Sequence, residues 1–323
     1  MIIPRSWRII LALTVATAFL CGVANAANRT WDTATGDGGT ITDGSGTWTT
    51  ANAWNTGAGN ATWSSATPDT AIIGGGTLGS AGTITVGTVT VAGITFNTPN
   101  GGGSYTLQSG TITPTNPSTT FTADADVTFA STVTISIPSS QQATNLILSG
   151  TATNALINGP INDSSAGSKN LSLDKQGAGT WLLSGTNTYH GTTTVDAGTL
   201  KLSGTGSFTQ TSGVVLNGGT FCLASSAADQ IVNTANFTMN GGTLQLGAAG
   251  INETVGTLSL TASSVIDFGS LGGEINFATG SPAWSGGTLL NVYNWTNGTD
   301  HLFFGSTSGG LIAGNVSQIR LFT

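Results

Sequence analysis

Residues 170–202 read NLSLDKQGAGTWLLSGTNTYHGTTTVDAGTLKL. Three alternating runs stand in this stretch: Leu171-Ser172-Leu173, Thr180-Trp181-Leu182-Leu183, and Thr192 to Val195 running on to Thr199-Leu200-Lys201-Leu202. Only turn-forming residues separate them, namely Lys175-Gln176-Gly177-Ala178-Gly179, Gly185-Thr186-Asn187 and Asp196-Ala197-Gly198. A strand alternates its side chains with period two. Leu171, Leu173, Leu183, Val195, Leu200 and Leu202 can therefore share one face while Ser, Thr and Lys share the other. No run is long enough for an amphipathic helix, and no two-residue hairpin joins neighbours. Short strands linked by Gly-rich corners predict one winding of a solenoid.

The pattern extends outward from there. Thr180, Thr199, Thr220 and Thr243 follow one another at steps of 19, 21 and 23 residues, and the last three open Gly-Thr-(Leu/Phe)-x-Leu units. Asn217-Gly218-Gly219-Thr220-Phe221 and Asn240-Gly241-Gly242-Thr243-Leu244 superimpose at an offset of 23. A period near 20 residues is the signature of stacked windings, and Asn and Gly supply the positive-φ conformations that sharp corners need. From 72 to 148 the runs are rich in β-branched residues, as in Thr83-Ile84-Thr85-Val86 and Val133-Thr134-Ile135-Ser136-Ile137, which suits a pleated surface. Nothing in the composition marks a linker, so one domain is the simplest count.

Residues 1–26 predict an export signal: Arg5 and Arg8 in front, an apolar core from Ile9 to Gly22, and a small-residue cleavage pattern at Ala24-Asn25-Ala26. Cleavage leaves 297 residues (323 − 26) with no further apolar run long enough to span a bilayer. At roughly 22 residues per winding these make about 13 turns and a body roughly 60 Å long. Only Cys222 remains of the two cysteines, so no intrachain disulfide can form. Losing Arg5 and Arg8 leaves five basic residues (7 − 2) against 14 acidic ones, a formal charge of −9. Without clusters of Lys and Arg to neutralise phosphates, nucleic acid is excluded as a partner.

The run from Lys175 to Leu202, K-Q-G-A-G-T-W-L-L-S-G-T-N-T-Y-H-G-T-T-T-V-D-A-G-T-L-K-L, resembles the autotransporter-associated β-strand repeat, or passenger-associated repeat. The glycines, the Asn-Thr-Tyr and both Gly-Thr steps fall in register with that pattern. Three positions depart from it: Trp181 stands for an inward Leu, Leu182 for an outward Thr, and His190 for Thr or Ser. The resemblance implies a right-handed parallel β-helix on an exported bacterial surface protein. The stretch 288–305, T-L-L-N-V-Y-N-W-T-N-G-T-D-H-L-F-F-G, followed by Gln318-Ile319-Arg320, resembles the closing segment of repeat proteins that carry a Pro-Glu-Pro (PEP-CTERM) sorting tail. That tail is not in the sequence, nor is the long amphipathic barrel of an autotransporter. Free secretion and a longer downstream chain both remain open.

The ends have their own texture. Residues 27–70 are expected to form an N-terminal cap, with Trp31, Trp48, Trp54 and Trp63 folded over an otherwise open sheet edge. The alternative is that these flat rings form a platform for carbohydrate. Residues 71–253 are read as rungs, and 254–323 as the last rungs and a closing segment.

Parallel β-helices include polysaccharide-degrading enzymes, so acids and bases deserve weighing. Glycoside hydrolysis asks for two carboxylates about 5–9 Å apart. Asp124-Ala125-Asp126 is the one Asp-x-Asp pair and would put both side chains on one strand face; a solvated strand edge is the plainer reading. His190 and His301 read as corner residues, Cys222 as a packed or surface thiol. Asp32, Asp37 and Asp43 lie among glycines but match no calcium-loop spacing, and Asx-turns account for them. Thr-x-Thr strands such as Thr83-Ile84-Thr85 and Thr88-Val89-Thr90 resemble those of ice-binding solenoids, though the spacing wanders. The sequence therefore reads as all-β, a single right-handed parallel β-helix with capped ends. It is expected to be an exported, non-enzymatic stalk or adhesion scaffold that meets extracellular polysaccharide or a neighbouring cell and needs no metal or cofactor. Two alternatives stand beside it: a carbohydrate-active enzyme using Asp124 and Asp126, and a passenger fragment of an autotransporter adhesin.

Overall fold

The structure, a computed structural model, describes residues 26–34, 39–115, 117–164, 170–227, 229–269, 271–278, 284–305 and 310–323. The export signal at 1–26 lies outside these but for its last residue, as does Asp37. The chain winds as a parallel β-solenoid with three faces. Its period-two runs make the strands, and each strand pairs with its counterpart one rung earlier and one rung later rather than with its sequence neighbour. One winding shows the scheme: Leu171–Lys175 lies on the first face, Thr180–Leu183 on the second and Thr186–Asn187 on the third. The next winding repeats it with Thr193–Val195, Thr199–Gly204 and Ser207–Phe208, each parallel to the strand below.

Ten strands stack in parallel on the first face, from Asn28–Trp31 to Leu258–Ala262, and an antiparallel pair flanks the first of them. Twelve stack on the second, from Gly46–Thr47 to Ile319–Leu321. The expectation of about 13 turns is thus too high, because the windings are unequal. Thr120, Ile147 and Asp174 stack at steps of 27 residues. The first step, Asn28 to Thr70, takes 42, since the hairpin Trp54–Asn55 and Asn60–Ala61 is inserted there. Rungs of 20 to 23 residues occur mainly from Asp174 onward.

Alternation fills the interior. Leu171, Leu173, Leu183, Val195, Leu200 and Leu202 are all fully buried, and so is Trp181. Burying each aliphatic side chain contributes about 1.5–3 kcal/mol before the entropy cost of ordering the chain. Aromatic rings stack from rung to rung, as Phe208 does on Phe221 at 5.7 Å. The corners explain the glycines. In Thr83–Val91 and Tyr105–Pro114 the chain turns from second to third face without leaving the strand, at Gly87 (φ 72°) and Gly110. A Cβ on Gly110 would sit 2.0 Å from the Gly87 carbonyl oxygen, so only glycine allows the two bends to stack. Among the described residues the one α-helix is the short Ala313–Val316, and no helix is long and apolar enough to cross a membrane.

Candidate functional site

Outward side chains form columns because register holds across rungs. Thr180, Thr199, Thr220 and Thr243, spaced 19, 21 and 23 apart in sequence, stand directly over one another on the second face. Beside them at the corner runs a polar chain. Asn217 donates to Asp196 Oδ1 at 2.8 Å, Asn240 to Asn217 Oδ1 at 3.2 Å, and Thr261 to Asn240 Oδ1 at 3.1 Å. Nearer the N-terminus, Thr88, Thr111 and Thr134 stack on the third face at equal steps of 23, with Thr90 over Thr113 beside them. These columns present hydroxyl and amide groups at the repeat of the sheet, about 4.8 Å.

The acids singled out in the sequence are placed differently. Asp124 and Asp126 sit in the turn between Ser118–Ala123 and Val127–Phe129, not on a strand face. Each is occupied with the turn of the following rung. Asp124 Oδ1 accepts from the Thr151 amide and hydroxyl, both at 3.1 Å, and Asp126 Oδ1 accepts from the Asn154 amide at 2.9 Å. Such a pair locks two corners together, and no basic group stands with it in those bonds. Asp32 and Asp43 are buried. Asp32 takes the amides of Ala34 and Thr42 and the Asn60 side chain; Asp43 takes the Gly76 amide and the Tyr105 hydroxyl at 2.9 Å. Burial raises the Tyr105 pKa above its usual value, Asp43 adding to it against a lowering bond from the Gly44 amide. Among the described residues no group of three or more His, Cys, Asp or Glu side chains is arranged to hold a metal.

The four N-terminal tryptophans pack on one another. Trp54 meets Trp31 at 5.3 Å and Trp48 and Trp63 at 4.8 Å, and Trp48 meets Trp63 at 5.3 Å. Their exposures are 0–7%, and they meet edge-on or tilted. A carbohydrate platform would require a ring face open to water.

Other ionisable groups escaped the sequence reading and turn inward. Lys175, expected in a turn with the lysines facing out, ends the strand Leu171–Lys175 and is fully buried. Its Nζ donates to the carbonyls of Gln176 (2.7 Å), Gly177 (2.8 Å) and Ala197 (3.0 Å), so all three N–H bonds of the ammonium are used. A Cβ on Gly198 would come within 2.7 Å of that nitrogen, so this glycine makes room for it. Burial pulls the Lys175 pKa down to about 8, against the pull of Asp174. Glu253 is the acidic counterpart. Its two oxygens accept the amides of Gln230 and Ile231 of the previous rung at 2.9 and 2.8 Å, yet burial outweighs those bonds and pushes its pKa up to about 7, Asp229 adding a smaller rise. Asp163 accepts the amides of Leu171 and His190 and pairs with His190 Nδ1 at 2.6 Å. Parity was the available signal: 171, 173 and 175 share one phase, as do 161 and 163, and 251, 253 and 255.

Cys222 is buried with its pKa raised by burial, which makes it a poor nucleophile. His301 lies in the strand His301–Phe304 rather than at a corner, stacked on Phe303. One shallow groove of about 530 Å³ lies between the corners at Ser225–Asp229 and Ala249–Asn252; Ser225 and Ser226 already donate to the Gly204 carbonyl.

Residues 173–202 match the model of the passenger-associated-transport-repeat family. The chain also resembles the adhesin BmaC autotransporter of Brucella suis biovar 1 (strain 1330), with 33% identity over 203 residues. That alignment covers 60% of this chain but 5% of the adhesin, so the chain corresponds to a small part of its relative. No solved structure matches.

Proposed function

We propose that this chain, which carries a passenger-associated-transport-repeat, is an exported structural β-solenoid serving as a cell-surface or extracellular-matrix stalk and adhesion scaffold, without enzymatic activity. The observation that carries this is the use made of its few ionisable groups. Lys175, Asp163 and Glu253 hold backbone between or at the corners of rungs, and Asp124 and Asp126 do the same at the surface. General acid–base catalysis needs such groups free to exchange protons with a substrate. The outer columns of Thr, Ser and Asn supply instead a repeated hydroxyl and amide surface suited to polysaccharide or a neighbouring cell. Likeness to a bacterial autotransporter adhesin supports a surface or secreted location. In the same reading the tryptophan cluster and the inserted hairpin cap the rod, turning the first strand edge away from solvent.

The test is retention on immobilised bacterial polysaccharides and on intact cells, followed together with release of reducing sugar. Saturable retention without new reducing ends is expected, and the pair Thr199→Glu and Thr220→Glu should lower it by setting like charges in one column. Reducing ends released by the wild type and lost in Asp126→Asn would overturn the proposal.

A further inference from the structure

Between residues 223 and 256 two faces of the rod are continuous and the third is not. Gly213–Leu216, Asn236–Asn240 and Leu258–Ala262 pair in turn on the first face. Thr220–Ser225, Thr243–Leu246 and Ser264–Asp267 do so on the second. On the third, Phe208 bridges Ile231 and Ile251–Val255 pairs with Gly273–Phe277, but no described ladder joins the two groups. Backbone bonds close the gap at its ends, from the Gly247 amide to the Leu223 carbonyl at 2.7 Å and from the Gly256 amide to the Ala235 carbonyl at 2.8 Å. Between these, among the described residues, the Glu253 side chain spans it. Its two oxygens take the Gln230 and Ile231 amides, which a paired strand would otherwise satisfy. Gln230 extends the bridge, its Oε1 accepting the Ser225 amide at 2.9 Å. The groove lined by Ser225, Asp229, Ile251 and Asn252 opens at the same place.

A carboxylate in this position is poorly held once charged. Glu253 is 1% exposed, and among the described residues no basic group pairs with it. Asp229 acts on it across the gap. On the paired strand Ile275 stands opposite it and Glu274 opposite Asn252; His301 lies one strand further, opposite Glu274, and Asp300 accepts the Gly273 amide. A buried charge with no counter-charge is costly unless water reaches it, and the groove is the route for that water. A neutral carboxyl has no such need. We infer that Glu253 is a pH-operated latch on the third face: with its proton on, it keeps residues 230–232 against Ile251–Val255, and with the proton lost the two part and the groove deepens to wet the charge. The continuous first and second faces keep the rod whole, so the opening is local. Burial lifts the Glu253 pKa to about 7, which places the change below and around neutral pH. This inference does not depend on the adhesion reading.

The test is amide hydrogen exchange of the full chain followed by mass spectrometry, each rate divided by the intrinsic exchange rate at the same pH. Residues 230–232 and 251–255 should open more often as pH climbs from about 4.5 to about 7, and level off above. The rise should be at least about tenfold and at most about 300-fold, the ceiling set by the difference between those two values. Thr199–Gly204, paired on both sides, should show no such rise. Glu253→Gln should abolish it, and Asp229→Asn should leave a smaller one. Opening that is flat with pH in the wild type, kept in full by Glu253→Gln, or shared equally by Thr199–Gly204 would overturn the inference. If Glu253→Gln fails to fold, the contrast between segments of the wild type still decides.

Discussion

The first and the last described rungs are packed differently. The first hold four interlocked tryptophans and a hairpin; in the last, among the described residues, Ile319–Leu321 and His301–Phe304 each pair on one side, and Tyr293, Phe303, Leu321 and Phe322 are exposed. The contrast teaches that a solenoid is only as closed as its terminal rungs, since each inner rung is satisfied by its neighbours whatever its sequence details. Stability should therefore be highest where aromatic packing reinforces pairing and lower where the rings are exposed.

The sharpest way to break the comparison is to empty the cap. Trp54 touches three other indoles and donates from its ring nitrogen to the Trp48 carbonyl at 2.7 Å. Trp54→Ala should lower unfolding free energy by about 3–5 kcal/mol, read by urea denaturation, and speed amide exchange first in Asn28–Trp31 and Thr70–Ile73. Exchange that accelerates only at the far end would refute the role given to the cluster.

A middle rung calibrates both ends. Lys175→Met removes the donor from three carbonyls gathered by one ammonium and should cost about 2–4 kcal/mol. Its effect should centre on the corners at Gln176 and Ala197. The milder Lys175→Arg is expected to be damaging too, because Gly198 leaves room for a compact head group only.

In the C-terminal half, stability depends on pH through Glu253. Glu253 holds its proton more tightly in the native chain than in the unfolded one, its pKa rising from 4.5 to about 7 through burial. The stability this confers is complete below about 4.5 and is lost as pH climbs through about 7. The total effect is at most about 3 kcal/mol, and Glu253→Gln should flatten that part of the stability curve. Thermal unfolding followed from pH 4 to 8 checks it; a curve that rises over this interval for the wild type and not for the variant would contradict the assignment.

Smallest of all should be the exposed changes. Phe322→Ala and Asp126→Asn should each shift stability by less than about 1 kcal/mol, the former through its stacking on Tyr293 at 4.5 Å. A loss at Phe322 matching that at Trp54 would erase the difference between the ends.

Much of this architecture was legible in residues 170–202. Period-two alternation marks Leu171, Leu173, Leu200 and Leu202 as interior, and they are. The Gly-Thr steps of 19, 21 and 23 align Thr180, Thr199, Thr220 and Thr243 in one column although their spacing varies, because corners absorb extra residues that strands cannot. What stayed hidden depends on partners far away in sequence. Lys175 looks like a turn residue until the carbonyl of Ala197, one rung on, completes its cage. Asp163 gains its role from Leu171 and His190. Asp124 and Asp126 satisfied the alternation rule, yet the chain leaves the strand after Ala123, which no local pattern announces. The hairpin around Trp54 was likewise invisible, since its short strands carry too few residues to show a period.

The most direct measurement of the stacked rod is a spin-label distance along one outward column. Thr120, Ile147, Asp174, Thr194, Val215, Thr238 and Ser259 stand in register on successive rungs. Labels placed at Thr120→Cys and Ser259→Cys should give one narrow distance near six sheet spacings, roughly 29 Å. A broad distribution, or a mean displaced from that value by more than about two spacings, would contradict the winding on which every other conclusion rests.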